Sequence, residues 1–285
     1  MKNKLSIVHN LYHRNEFVNE SVRLNLLALE ESGVDYQYIL FNDKGDIDIE
    51  DDIKEFVSKK VEYIYSDINY GKKKCCGGWL GALPYVNGNL IQITGQDDVM
   101  TSLFYKTSID VFDNRDDIYL VFANGFRVSE NLNCDSIMIN QDYILSQPGA
   151  YENPLEVFKV WYGINSKFHK TGSDAVSCAN NGIVTPGTIY KVELHDLIGV
   201  PDLDNCGGAC DFEYWSRILF NGYKCHYINF PLWLYRLSEY SAGLEVIDGK
   251  KNNEYWRKIS LEWIKNKYTR LWEEKRKLKN TISIT

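Results

Sequence analysis

The sequence predicts an α/β protein whose central sheet is mostly parallel and is flanked by helices. Strand-like and helix-like segments alternate along the first half of the chain, which is the order expected of βαβ units. The length of 285 residues, of which 44% are hydrophobic, is sufficient for one large core. No linker separates the two halves. We therefore expect one domain over 1–245, followed by a helical extension over 246–285.

Four predicted strands and three predicted helices make up the first half. Each strand is a short apolar run bounded by turn residues, and the four runs span 5–8, 36–41, 61–65 and 90–94. Apolar residues at helical spacing from Phe17 to Leu29 predict the first helix, and Gly33 suits its end. Two further helices, over 50–60 and 73–86, are expected to connect the later strands.

The second half has a less regular pattern. A helix is expected to begin at Val99, and a shorter one over 212–220 ends at Asn221. The strands predicted here span 118–122, 182–190 and 223–227.

Charge is unevenly distributed along the chain. The net charge is −7, yet residues 250–280 contain eleven Lys or Arg and four Glu. An acidic body disfavours a nucleic-acid partner. The basic segment has an apolar helical face, so it could lie on a membrane surface, although packing onto the domain or in a homodimer fits the same pattern. That face comprises Trp256, Ile259, Trp263 and Leu271.

Several kinds of site are excluded by the sequence. The seven cysteines form no pair of CxxC knuckles, so a zinc module is not expected. Neither GxGxxG nor GxxxxGK[ST] occurs, which argues against dinucleotide-binding and P-loop phosphate cradles. The apolar run that starts at Leu5 is broken at His9 and is too short for a signal peptide. We therefore expect a cytoplasmic protein without a membrane span.

Polar residues follow three of the predicted strands at 10–12, 42–43 and 96–98. Ligands of a parallel sheet bind beyond the carboxyl ends of its strands, so these residues are expected to share one crevice. Adjacent carboxylates such as Asp97 and Asp98 repel each other there unless a divalent cation is bound. One can then hold an ion that carries a diphosphate while the other accepts hydrogen bonds from a ribose. The alternative is a solvated acidic turn that caps the next helix.

Another candidate lies in the second half, where the glycine pair 207–208 precedes Asp211. A carboxylate on a flexible loop at the start of a helix suits a general base beside an acceptor hydroxyl. The aromatic helix that follows, with Trp215, suits a sugar ring. The alternative is an N-capping aspartate on a core helix whose tryptophan simply packs inside the protein.

Together these segments resemble a family 2 glycosyltransferase of the GT-A fold, from about residue 4 to residue 243. Each segment alone is a weak signal, but their order along the chain is the order found in that family. The segments are the opening strand with Tyr12 and Arg14, the turn from Ile39 to Asp43, Asn69-Tyr70-Gly71, Gly95-Gln96-Asp97-Asp98, and a C-terminal region with Asp211, Trp215 and Arg217.

The resemblance implies a nucleotide-binding half over 1–100, an acceptor half over 101–245 and a set of roles. Asp211 would accept the proton of the acceptor hydroxyl as the anomeric carbon is inverted, and Asp98 would hold Mn²⁺ or Mg²⁺. The donor would be a sugar linked to UDP, GDP or dTDP, and the acceptor a hydroxyl on a glycan or on a lipid-linked or protein-linked molecule. The residues implied to contact the nucleotide sugar are Asn10, Tyr12, Asp43, Lys74 and Asp97, and those implied to contact the acceptor are Cys210 and Trp215.

Departures from the family pattern keep a second interpretation open. Cys75-Cys76-Gly77 stands where the family usually has Ala-Arg-Asn, so a basic group facing the nucleotide would have to come from Lys72 to Lys74. Cys210 stands where a glutamate commonly precedes the base. The chain could therefore be a non-catalytic GT-A domain that binds a nucleotide sugar or a glycan. A nucleotidyltransferase ranks lower, because the glycine-rich basic loop of that chemistry is missing.

Overall fold

The structure is a computed structural model. It describes residues 3–12, 17–45, 50–71, 77–129, 176–178, 185–237, 246–247, 250–251, 262–263 and 282–284. Lys74 and most of the basic segment 250–280 lie outside the described residues.

The first half forms the expected alternation of strands and helices. In order, it contains β1 (Leu5–Leu11), α1 (Val18–Ser32), β2 (Tyr36–Asn42), α2 (Glu50–Ile53), β3 (Val61–Tyr65), α3 (Gly77–Ala82) and β4 (Leu90–Thr94). Short 3₁₀ turns at Lys54–Phe56 and Leu83–Tyr85 follow α2 and α3. Helix α1 ends at Gly33, whose φ of 69° is a left-handed conformation that glycine adopts without strain.

The second half adds strands to the same sheet and helices to its faces. Its elements are β5 (Val99–Met100), α4 (Ser102–Asn114), β6 (Ile118–Ser129), β7 (Val176–Cys178), β8 (Thr188–Lys191), α5 (Leu194–Ile198), α6 (Leu203–Cys206), α7 (Cys210–Phe220) and β9 (Lys224–Leu237). The last described elements are β10 (Val246–Ile247), β11 (Lys250–Lys251) and β12 (Ile282–Ile284).

The main sheet has the strand order β12-β9-β6-β8-β4-β1-β2-β3. Along this path β8 is antiparallel to β4 and β6, and the other neighbouring strands are parallel. Because β8 runs opposite to β4, its first residues lie beside the carboxyl end of β4. The prediction of a mostly parallel α/β sheet is confirmed.

The two faces of the sheet carry separate cores. Successive residues of a strand point to opposite faces, so Ile7 packs into one core and Val8 into the other. Helices α1 and α4 cover the first face through apolar side chains such as Val22 and Phe104. Helix α3 covers the second face with Trp79, and α7 joins it there. The β4–β1–β2 centre is thereby buried on both sides, as a parallel sheet requires.

The helix predicted from Val99 begins three residues later than expected. Val99 and Met100 instead form β5, which pairs with β9. The helix starts at Ser102 because the Oγ1 atom of Thr101 accepts a hydrogen bond of 3.1 Å from the backbone N–H of Phe104. Pairing between distant segments therefore outweighs the local helical pattern at this point.

The predicted strand over 182–190 is also displaced. Residues Thr185–Gly187 form a 3₁₀ turn, and β8 starts only at Thr188. Pro186 lies in that turn, and proline lacks the N–H that a central strand needs. The turn proves important for the candidate site.

The predicted C-terminal extension is described at only a few positions. β10 pairs with β11, and β12 joins the edge of the main sheet beside β9. Trp263 packs against the cluster of Leu203, Cys206 and Cys210, so the predicted apolar face contacts the domain at this residue. Within the described parts of the chain, no helix combines the length and apolar character needed to cross a membrane.

Candidate active site

Three strand ends meet at one edge of the sheet, as the polar residues after β1, β2 and β4 predict. The parallel register pairs Leu11 with Asn42. Beyond β1, the backbone N–H of Tyr12 donates to Oε1 of Gln96 over 2.8 Å. The N–H of Asp43 donates to the carbonyl of Leu11 over 3.0 Å. The structure therefore brings the segments 10–12, 42–43 and 96–98 together.

Asp43 stabilises a neighbouring turn at this edge through its side chain. Its two carboxylate oxygens accept hydrogen bonds of 2.8 Å from the N–H groups of Tyr70 and Gly71. Burial raises the pKa of the Asp43 carboxyl, and the two N–H donors oppose that shift. Each oxygen retains a lone pair, so a contact to a nucleobase is compatible with this position. The contact that the structure describes, however, is to the backbone.

Tyr12 is held between two loops. Nδ2 of Asn69 donates to the phenolic oxygen of Tyr12 over 2.9 Å. On the other side, a Cβ atom added to Gly45 would lie only 1.9 Å from the carbonyl oxygen of Tyr12. The glycine thus allows the loop after β2 to approach the ring-bearing segment closely. The phenolic oxygen and the main chain of Tyr12 are therefore each in contact with a neighbouring loop.

Asn10 also points toward the crevice wall formed by α3. Its Oδ1 atom is buried and has no hydrogen-bond partner among the described residues. A Cβ atom added to Gly78 would lie 2.6 Å from that oxygen. Glycine at the start of α3 therefore leaves room for the Asn10 amide. Lys74, the basic residue predicted for the nucleotide, precedes α3 outside the described residues.

Asp98 is the most buried carboxylate at this edge, with 3% of its surface exposed. Its Oδ2 atom accepts a hydrogen bond of 3.0 Å from the N–H of Gly95. Its Oδ1 atom is buried without a partner among the described residues. Burial, and then the negative charge of Asp97, raise the pKa of the Asp98 carboxyl well above its usual range, while the charge of Arg236 acts in the opposite direction.

Two side chains of helix α1 form hydrogen bonds with the main chain of Asp98. The hydroxyl of Ser21 and the amide nitrogen of Asn25 donate to the Asp98 carbonyl over 2.6 and 2.9 Å. Oδ1 of Asn25 accepts the N–H of Met100 over 2.7 Å. Sequence reasoning missed both residues of α1. The available signal was a serine and an asparagine on the face that also carries Val22, since a buried polar side chain needs a defined partner.

The donor set at the end of β4 fits a divalent cation that is shared with a ligand. No group of three or more His, Cys, Asp or Glu that could hold a metal ion occurs within the described residues. The partnerless Oδ1 of Asp98, with Asp97 beside it, offers oxygen ligands of the type that Mg²⁺ and Mn²⁺ prefer.

Asp211 is brought to the same edge by the turn before β8. Its Oδ2 atom accepts a hydrogen bond of 2.7 Å from the hydroxyl of Thr185, and its Oδ1 atom accepts one of 2.6 Å from the N–H of Phe212. The carboxylate is partly exposed. Helix α7 begins at Cys210, with Ala209 as the N-cap residue and no side-chain capping bond. Asp211 is therefore not the N-cap of this helix.

Glu213, two residues further on, is committed to a structural ion pair. It is fully buried, and both of its oxygens accept hydrogen bonds from Arg217, over 2.9 and 2.7 Å. The guanidinium also donates to the carbonyls of Ile198 and Val200 over 2.6 and 2.9 Å. A carboxylate that balances a buried arginine is not free to accept a substrate proton. Asp211 is the better placed of the two.

The structure does not support the acceptor contacts predicted for Cys210 and Trp215. Both residues are fully buried. Trp215 lies one helical turn deeper than Asp211, and its ring packs 5.4 Å from those of Trp79 and Tyr190, measured between ring centroids. Cys210 packs into the small cluster that includes Trp263. The aromatic face of α7 therefore stabilises the core behind the site.

The chain has no match among protein-family models and none among curated proteins. Solved structures, in contrast, share its fold. Residues 1–349 of TarS from S. aureus in complex with UDP-GlcNAc match with a TM-score of 0.53 and 12% identity, over 84% of this chain and 60% of that one. The same protein in complex with UDP gives a TM-score of 0.51 and 12% identity, over 83% and 61% of the two chains.

A mannosyltransferase from Pyrobaculum calidifontis, in complex with GDP-Man and Mn²⁺, matches with a TM-score of 0.49 and 10% identity, over 79% of this chain and 54% of that one. In the TarS comparison, this chain spans about three fifths of the TarS fragment. The likeness to TarS establishes a shared fold.

Proposed function

We propose that the protein is a metal-dependent glycosyltransferase of family 2, which moves a sugar from a nucleoside diphosphate to a hydroxyl acceptor with inversion. The observation that carries this proposal is the position of two kinds of carboxylate at one edge of the sheet. Asp98 has a buried oxygen without a described partner, and Asp211 is a partly exposed carboxylate next to the carboxyl end of β4. The shared fold with TarS, which was solved with UDP-GlcNAc, supports a nucleotide-sugar donor.

On the donor side, the residues of the three strand ends would bind and orient the nucleotide sugar. Tyr12 would pack on the base, and Asp43 and Asn10 would contact the base or its ribose from the neighbouring turns. Asp97 is partly exposed and would accept hydrogen bonds from ribose hydroxyls. Asp98 would hold the divalent ion, which supplies positive charge to the departing diphosphate.

On the acceptor side, Asp211 would accept the proton of the incoming hydroxyl as the new C–O bond forms. A carboxylate oxygen can accept more than one hydrogen bond, so the contacts to Thr185 and Phe212 are compatible with a further contact to the acceptor. A carboxylate suffices as the base because proton transfer need not be complete before attack. Attack from the face opposite the diphosphate inverts the anomeric carbon.

Release of nucleoside diphosphate tests the proposal. We expect UDP, GDP or dTDP to be released from one member of a panel of nucleotide sugars when Mn²⁺ or Mg²⁺ is present, with slow release to water and faster release when a hydroxyl acceptor is added. Binding of a nucleotide sugar without release under any of these conditions would favour a non-catalytic GT-A domain. Release of pyrophosphate would indicate a nucleotidyltransferase.

We also propose that the basic side chains of segment 250–280 contact an anionic membrane, where lipid-linked acceptors are found. Trp263 packs against the domain near Leu203, so this part of the apolar face is directed toward the protein, and a surface contact would depend on the lysines and arginines.

Liposome flotation tests the membrane contact. Removal of the segment is unsuitable because β12 belongs to the main sheet, so the basic run Lys275-Arg276-Lys277 would be changed to glutamine instead. We expect the unchanged protein to float with anionic but not neutral vesicles at low salt, and the variant to float less. Equal behaviour of the two proteins would contradict the membrane contact, and a concentration-dependent mass in light scattering would indicate a homodimer.

A further inference from the structure

We propose that Thr185 is a positioning residue for the base, and that it sets the orientation of the Asp211 carboxylate by tying it to the central sheet. This inference rests on the proposed function of Asp211. The hydrogen bond of 2.7 Å from Thr185 Oγ1 to Asp211 Oδ2 joins two segments that are 26 residues apart in the sequence. Neither the composition nor the motifs of the chain identify this threonine.

The segment that carries Thr185 is held firmly on the sheet. Nε2 of Gln92, in the middle of β4, donates a buried hydrogen bond of 2.6 Å to the carbonyl of Pro186. A Cβ atom added to Gly187 would lie 2.1 Å from Nε1 of Trp233, so the backbone of the turn presses on a fully buried ring. That ring is itself fixed by a hydrogen bond of 3.0 Å from Nε1 to the carbonyl of Ala123. Thr185 therefore projects from a rigid support.

The segment that carries Asp211 belongs to a different part of the fold. It follows the 3₁₀ turn Gly207–Ala209, and Gly207 has a φ of 49°, a conformation that most residues avoid. The hydrogen bond to Oδ1 comes from the adjacent residue Phe212, so it orients the carboxylate relative to α7 and not relative to the sheet. The contact from Thr185 thus links the base to the part of the fold that carries the donor-binding residues.

The chemical consequence concerns the direction of the carboxylate lone pair that would accept the proton. A carboxylate rotates easily about its Cβ–Cγ bond, and a base must present a lone pair along the line of the acceptor O–H bond. With Thr185 bound to one oxygen and the Phe212 N–H bound to the other, the plane of the carboxylate is defined. Loss of the hydroxyl would leave the base present but less well aligned, and misalignment lowers the rate rather than donor binding.

The test compares Thr185→Val with Thr185→Ser in the full chain. Valine keeps the shape and removes the hydroxyl, so we expect kcat to fall about tenfold with the KM for the donor and its Kd almost unchanged. Serine restores the donor group and should recover most of the rate. In an Asp211→Asn background, Thr185→Val should lower the residual rate by less than twofold, because the group that it positions is no longer a base.

Ser216→Ala is the control for loss of a hydroxyl group on α7, the helix that carries Asp211. Its hydroxyl donates to the carbonyl of Phe212 over 2.7 Å, so its removal should affect the melting temperature without the fall in kcat. A kcat of Thr185→Val equal to that of the unchanged protein, or a fall that serine does not reverse, would overturn the positioning role and leave the proposed function intact. Absence of turnover in the unchanged protein would overturn both.

Discussion

Asp211→Asn is expected to lower sugar transfer by about 100-fold or more, with donor affinity close to that of the unchanged protein. A sugar hydroxyl is a weak nucleophile near neutral pH, and its attack requires a base within hydrogen-bonding distance. The asparagine amide keeps the shape of the side chain, and its oxygen can still accept a hydrogen bond from Thr185 or from the N–H of Phe212, but it has almost no basicity. The change should therefore affect kcat and leave the affinity for the nucleotide sugar intact.

Glu213→Gln is the matched control, because it makes the same chemical change on the same helix. Glu213 lies in a buried pair with Arg217, and the neutral amide would leave that guanidinium without its balancing charge. We expect a clear fall in melting temperature, and a rate per folded molecule close to that of the unchanged protein. The two variants should thus separate a catalytic carboxylate from a structural one.

Turnover, melting temperature and donor affinity of both variants decide the assignment. A rate for Asp211→Asn within a few-fold of the unchanged protein would remove Asp211 as the base. The same result is what an N-cap would give, since asparagine caps helices nearly as well as aspartate. The structure already argues against a capping role, because the N-cap of α7 is Ala209.

The fold could be predicted from the sequence because strands β1 to β4 are short, apolar and bounded by turn residues. Strands β3 (Val61–Tyr65) and β4 (Leu90–Thr94) have the predicted bounds. Errors appear where distant pairing decides the local structure. Val99 joins β9 as a strand partner although it precedes a helical pattern, and no local pattern contains that information. In the segment before Thr188, Pro186 is a local signal against a strand, whereas the hydrogen bond from Gln92 to the Pro186 carbonyl could not be predicted.

For the candidate site, the sequence predicted which residues lie together, because this follows from residue type and from where the strands end. The convergence of Tyr12, Asp43 and the acidic pair follows from the rule that parallel strands end at one edge. The partners of these residues do not follow from it. Asn25 reaches Asp98 across 73 residues of sequence, and Thr185 reaches Asp211 across 26. Such contacts depend on how helices and turns dock on the sheet.

Besides the hydrogen-bond partners, the sequence pattern did not reveal which side chains are buried. An aromatic side chain in the middle of a helix can stack on a bound sugar ring or pack in the core. Trp215 belongs to the core because its ring packs against Trp79 and Tyr190, which come from two other elements of the fold. For the two carboxylates of α7, the position at the start of the helix favours Asp211 over Glu213, and the structure adds that Glu213 is ion-paired with Arg217 whereas Asp211 is partly exposed.

The affinity for the donor nucleotide is expected to depend on a divalent cation through Asp98. We expect Mn²⁺ to raise the affinity for the preferred nucleoside diphosphate at least tenfold over that in chelator, because the acidic pair and a diphosphate repel each other without a cation. Asp98→Asn should remove most of that gain. Calorimetry with and without Mn²⁺ measures both effects, and equal affinities under the two conditions would count decisively against the metal site.

In the absence of metal, Asp98→Asn is expected to change the stability of the folded protein. Burial and Asp97 raise the pKa of the Asp98 carboxyl in the folded protein. A raised pKa means that folding is weakened as the pH rises from the ordinary range of an aspartate toward the raised value. Near pH 7 in chelator, Asp98→Asn should therefore melt at a higher temperature than the unchanged protein. Below about pH 3, where aspartates are protonated in both states, the difference should disappear.

Asp110→Asn provides the control for the loss of one negative charge, since Asp110 lies exposed on α4. It should change neither the Mn²⁺ dependence nor the melting temperature by a measurable amount. Greater stability of Asp98→Asn without metal, together with loss of Mn²⁺-dependent binding, would mean that the chain tolerates an unfavourable buried carboxylate because a ligand-bound cation offsets it. A variant less stable than the unchanged protein in chelator at pH 7 would instead indicate that the Asp98 carboxylate is needed for folding itself.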